Sequence, residues 1–109
     1  MRVHSLYLRI IVGEDPAHSA QRNLNEDLVH FSGWGTLDQI KLAINGGANI
    51  DSTNDFGMSA LMMAVSNRKP DMVRYILTHK PSLSLVNRHG KSALDLAGNN
   101  QEMLSLLRR

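Results

Sequence analysis

The string Gly57-Met58-Ser59-Ala60-Leu61-Met62-Met63-Ala64 is answered 33 residues later by Gly90-Lys91-Ser92-Ala93-Leu94-Asp95-Leu96-Ala97. Gly, Ser, Ala, Leu and Ala recur at the same offsets. A fixed period of this length is the signature of a repeat architecture, and it outranks local propensity in deciding the fold. In each string the glycine tolerates a bent backbone. The serine two residues on is placed to cap the helix it precedes.

Working outward, Ser59 to Asn67 predicts a short helix, and Asn67-Arg68-Lys69 a tight polar turn. Pro70 suits the first position of a second helix, since its missing N–H would be unpaired there anyway. Met72, Val73, Ile76 and Leu77 give that helix one apolar face, and Lys80-Pro81 stops it. Ser82 to His89 is a loop. Gly90 opens a further unit with a short final helix carrying Met103, Leu104, Leu106 and Leu107.

Upstream, Ala48 to Phe56 lacks a helical period and is rich in turn formers, so it predicts a hairpin-like loop. Leu37, Ile40, Leu42, Ala43 and Ile44 predict a helix with Thr36 as N-cap and Gly46-Gly47 at its end. Before it, Asp15-Pro16 reads as a helix start, with Ala17, Ala20, Leu24, Leu28 and Phe31 on one face and Gly33 and Gly35 at the close. Residues 3–12 have strand propensity but no evident partner. They are read as an N-terminal arm, with an extra helix or pairing with another chain as alternatives.

The repeated unit resembles the ankyrin repeat, whose pattern runs Gly-x-Thr-Pro-Leu-His-x-Ala, then an apolar helix, then Gly-Ala-Asp-x-Asn. Gly57 to Leu61 and Gly90 to Leu94 take the first string, and Gly47-Ala48-Asn49-Ile50-Asp51 the last. Ser and Ala replace Thr and Pro in both copies. Met62 and Asp95 stand where the His would be, and Lys80-Pro81-Ser82 replaces Gly-Ala-Asp. Leu24 stands where an earlier unit would have its Gly, so the first unit reads as a degenerate cap. The last is about two residues short between its helices. The resemblance spans residues 24–107 and implies an all-α solenoid of stacked helix-turn-helix units with short β-hairpin loops, plus the arm. The expected division is an arm over 1–15 and a repeat domain over 16–109, with units at 16–56, 57–89 and 90–109. So few units give a thin core, and the arm is expected to cover an open end.

In that family, hairpin tips and the outer sides of the first helices form a concave face that grips other proteins. The resemblance places Asp55, Phe56, Met58, Ser66 and Asn67 there, then Arg88, His89, Lys91, Asn99 and Asn100, with Trp34 at the matching position of the first unit. Phe56 is an aromatic amid Asn, Asp and Gly, which marks an interface anchor or a ring folded back on its own hairpin. Trp34 is divided between helix-end packing and binding. The methionines of the middle unit serve adaptable packing, or, at Met58 and Met62, an apolar contact surface.

Other classes of function find little support. Twelve basic and ten acidic residues leave a net charge of +2, too little to point to nucleic acid or an anionic membrane. The absence of cysteine excludes disulfides and zinc–thiolate sites. No His pair has metal spacing, Glu26-Asp27 points in two directions, and no phosphate loop or nucleophile elbow is present. No enzyme activity, cofactor or metal is expected. Arg9 interrupts the first apolar run, so a signal peptide is not expected and a cytoplasmic location is the simplest reading. The leading expectation is a module binding one other protein, as an inhibitor or adaptor, in a monomer or homodimer. The alternative is an assembly subunit that self-associates through residues 3–12.

Overall fold

A computed structural model describes residues 16–108. The arm, the Asp15 cap and self-association through residues 3–12 therefore lie outside the described residues. Among the described residues six helices follow one another: α1 Pro16–Trp34, α2 Leu37–Asn45, α3 Ala60–Ser66, α4 Pro70–Leu77, α5 Ala93–Ala97 and α6 Gln101–Leu107. They form three antiparallel pairs. The first helices, α1, α3 and α5, stack in one layer, and α2, α4 and α6 stack in a second. The described residues are thus an all-α stack, as the period requires.

The capping residues act where the sequence puts them. Thr36 Oγ1 accepts from the Gln39 N–H while Gln39 Oε1 accepts from the Thr36 N–H, a reciprocal capping box. Ser59 accepts from the Met62 N–H at 3.3 Å. Ser92 and Asp95 form a second capping box. The Ser92 backbone and hydroxyl bonds hold the Asp95 carboxyl below the usual carboxylate range, with a smaller contribution from Lys91. Asp95, at the family's His position, thus gains a local role. The missing residues of the last pair come from its first helix: α3 has 7 residues and α5 has 5, while a three-residue turn follows each.

The core runs along the stack. Leu28, Ile40, Leu61, Met62, Val65, Val73, Ile76 and Met103 are fully buried within it. Helix α3 has a neighbouring pair on either side, and Ala60, Leu61, Met62, Ala64 and Val65 are all buried. Met62 therefore belongs to the core and corrects the contact-surface reading of that residue. Leu42, Leu83, Val86 and Leu94 stay exposed.

The loops between pairs are tighter than a β-ladder. Among the described residues there is no strand, only one antiparallel bridge between Thr53 and Ser59. An asparagine organises each tip. Asn54 Oδ1 accepts from the N–H groups of Phe56 and Met58, and Asn87 Oδ1 accepts from those of His89 and Lys91. Gly57 and Gly90 follow with φ of 76° and 75°. The first unit has no such tip at the matching offsets. Gln21 and Leu24 occupy the matching offsets, and the chain there is helix. A leucine is costly at positive φ and favourable in a helix, so the first unit lengthens its helix instead.

Lys80 occupies the offset of Gly47, and both have positive φ, 55° for Lys80 and 107° for Gly47. The left-handed region costs a non-glycine roughly 1–2 kcal/mol, partly offset by the greater unfolded-chain freedom of glycine. Lys80→Gly is therefore expected to stabilise the protein by about 0.5–1 kcal/mol. Urea titration of both chains checks this, and a lower midpoint for the variant contradicts it.

Candidate functional site

Two exposed aromatic rings face one groove. Trp34 ends α1 with 68% of its surface accessible, and Phe56 sits at the first hairpin tip with 63%. Both line an open depression of about 300 Å³ together with Glu26, Val29, His30, Thr53, Asn54, Asp55 and Met63. Val29 is buried in the groove's floor and Met63 is half-buried beside it. The hairpin bonds to Asn54 hold the Phe56 backbone out at the tip, so the ring does not fold back into cover. The Trp34 ring is likewise not packed away at the helix end.

Met63, rather than Met58, supplies the methionine of this surface. Met58 packs against the core, and its sulfur accepts from Asn87 Nδ2 at 3.3 Å. That contact places it between two hairpins, as scaffold. Helix α3 buries five of its seven residues, so Met63 and Ser66 are the two left facing outward or partly so. The signal lay in the period: His30, Met63 and Leu96 share one offset across the three pairs. His30 and Met63 line the groove, and Leu96 is half-buried one pair further on.

The remaining expected residues divide by what they touch. Asp55, His89, Lys91, Ser66 and Asn99 are exposed. Arg88 is exposed too, but its Nη1 donates to the Asp55 carbonyl at 3.2 Å, and its own N–H donates to the Phe56 carbonyl at 3.1 Å. Asn67 closes α3, donating from Nδ2 to the Met63 carbonyl. Asn100 caps α6 by accepting from the Met103 N–H. Lys69 Nζ donates to the Gly35 carbonyl and ties the first two turns together. The structure thus brings Trp34, Asp55 and Phe56 into one groove. Arg88, His89 and Lys91 stand at the neighbouring tip, and Ser66, Asn67 and Asn99 lie at or beyond the ends of α3 and α5.

A larger depression of about 500 Å³ lies elsewhere, between α4, the 80–83 loop and α6, with Leu77, Pro81, Leu83, Leu106 and Leu107 among its walls. It holds no aromatic ring, and two of its leucines belong to the core. Volume alone does not make it the better site, because aromatic anchors carry a disproportionate share of interface energy.

Among the described residues, no group of three or more His, Asp or Glu side chains is placed to hold a metal ion. No described helix is long and apolar enough to cross a membrane. Stacked helix-turn-helix units with hairpin tips projecting on one side define a solenoid repeat protein, a class built to present an extended contact surface. A family model described as "Ankyrin repeats (many copies)" matches residues 42–97, just over half of the chain, and the chain belongs to the ankyrin repeat family. Ankyrin repeats generally mediate protein–protein interaction.

Proposed function

We propose that this chain is a non-enzymatic module that holds one target protein, as an inhibitor or adaptor, on the concave side lined by the hairpin tips and by α1, α3 and α5. The observation that carries this reading is the convergence of Trp34 and Phe56 on a single groove whose lining also includes Met63. Covering large aromatic rings is strongly favourable, and an apolar patch rimmed by polar groups marks a contact surface. The rim here is polar: Asn54, Thr53, Asp55, His30 and Glu26.

The test is capture of partners from the native cell on the immobilised chain, with Trp34→Ala and Phe56→Ala alongside. Both residues are exposed, so both variants are expected to fold with stability within about 0.5 kcal/mol of the parent. Each is expected to weaken the specific partner by roughly tenfold or more, as a central aromatic anchor does. If both folded variants keep every specific partner at unchanged affinity, the groove is not the binding surface.

A further inference from the structure

Resting on the groove reading above, we infer that the partner segment carries carboxylates beside its apolar anchor, and that these meet the basic tip formed by Arg88, His89 and Lys91. The two tips are immediate neighbours, since the Arg88 N–H donates to the Phe56 carbonyl. They have the same backbone, down to the asparagine and the glycine, but opposite chemistry. At matched offsets Asp55 faces Arg88, Phe56 faces His89, and Met58 faces Lys91. One tip is acidic and apolar, and the other is basic throughout.

The basic tip is compensated in part, by the Asp95 carboxylate near Lys91. Arg88 spends one N–H on a backbone carbonyl, which orients its guanidinium beside the groove and leaves donors for a planar carboxylate. Among the described residues the salt bridge that forms is Arg74–Asp71, within α4 and not at the tips. Asp95 accepts from the Ser92 N–H at 3.1 Å and forms no salt bridge with Lys91, so the Lys91 ammonium stays open to a second carboxylate. His89 and Lys91 are exposed. A cationic cluster next to an apolar groove selects for negative charge on the partner, because like charges there are rejected and opposite charges steer the encounter.

The partner is a protein segment rather than a polyanion. A nucleic acid running along both tips would meet the exposed Asp55 at the groove rim. A segment with an apolar side chain in the groove and acids to one side satisfies both tips at once. Neighbouring packed helices are about 8–10 Å apart. The acids therefore lie roughly three residues from the anchor in an extended segment, or roughly five to seven in a helix.

Selection of phage-displayed random dodecapeptides on the immobilised full chain tests this, followed by fluorescence anisotropy of the enriched peptides at low and high salt. The expected peptides pair an aromatic or long aliphatic residue with Asp or Glu at that spacing. Combined His89→Glu and Lys91→Glu weakens them by roughly tenfold or more, and added salt weakens them in the parent. Neither residue is in the core, and a thermal melt verifies folding. If binding is lost in Trp34→Ala yet indifferent to both glutamate substitutions and to salt, the carboxylate inference is overturned and the groove reading stands. If binding ignores Trp34→Ala and Phe56→Ala, the groove reading falls and takes this inference with it. Failure to enrich any sequence counts against both.

Discussion

Leu61→Ala is expected to lower the free energy of unfolding by roughly 2–5 kcal/mol, whereas Leu94→Ala should cost under about 1 kcal/mol. The two leucines are the same residue at the same offset of the repeated string. They differ in what stands beyond them. Leu61 is 1% exposed, on the helix with a neighbour on each side. Leu94 is 44% exposed, on the first helix of the last pair, with no further described unit to cover it. Truncating Leu61 removes buried methyl groups and leaves a cavity on a helix packed against α1, α4 and α5, where collapse is limited. A protein of this size has roughly 5–15 kcal/mol in total, which makes the Leu61 change a large fraction of the whole. Urea unfolding of both variants measures the contrast. Equal losses would mean that position within the repeat, and not burial, sets the energy.

The second large effect concerns the two hairpin glycines. Gly57→Ala is expected to cost about 2–4 kcal/mol and Gly90→Ala about 1–2 kcal/mol. Their φ angles are nearly equal, 76° and 75°, so the left-handed strain of an alanine is common to both. The surroundings differ. A Cβ on Gly57 would come within 3.1 Å of the Asn87 Cα and the Arg88 nitrogen, while a Cβ on Gly90 would meet nothing within 4 Å. The atoms against Gly57 are backbone, which cannot swing aside as a side-chain end can. The next hairpin would have to shift, and the Arg88-to-Phe56 bond with it. Comparing the two variants by thermal melting isolates the crowding from the φ strain, and identical melting temperatures would contradict the account.

Much of this molecule is legible in the sequence because each repeated residue has one local job. Ser59, Ser92 and Thr36 announce helix starts, Pro70 another, and the 33-residue spacing sets the stack. The two-residue shortening of the last unit is also readable, and it falls in α5. What the sequence left hidden depends on neighbours. Nothing local tells Met58 from Met63: both are methionines flanking the same serine cap. Only the packing of the next hairpin, through Asn87, turns Met58 into scaffold. Asn54 and Asn87 could have been paired by their common offset, but polar loop residues read as generic turn formers until their bonds are seen. Trp34 and Phe56 meet because α1 and the first hairpin lie side by side, a tertiary relation that spacing along the chain does not contain.

The bond from Arg88 to the Phe56 carbonyl, with the Arg88 Nη1 bond to the Asp55 carbonyl and the Asn87 contact to the Met58 sulfur, would link the proposed grip to integrity. The tip that carries the aromatic anchor is braced by a residue of the following loop, which leads into the shortest helix of the stack. Local opening at that end would release the brace and loosen the anchor, so the binding-competent population is set partly by the weakest pair. The relation is reciprocal: a target that needs Phe56 held in place adds its binding energy to the closure of the far end. If the proposed groove holds a target, partner and terminal helices would act as effectors of one another across the contacts between the two hairpins.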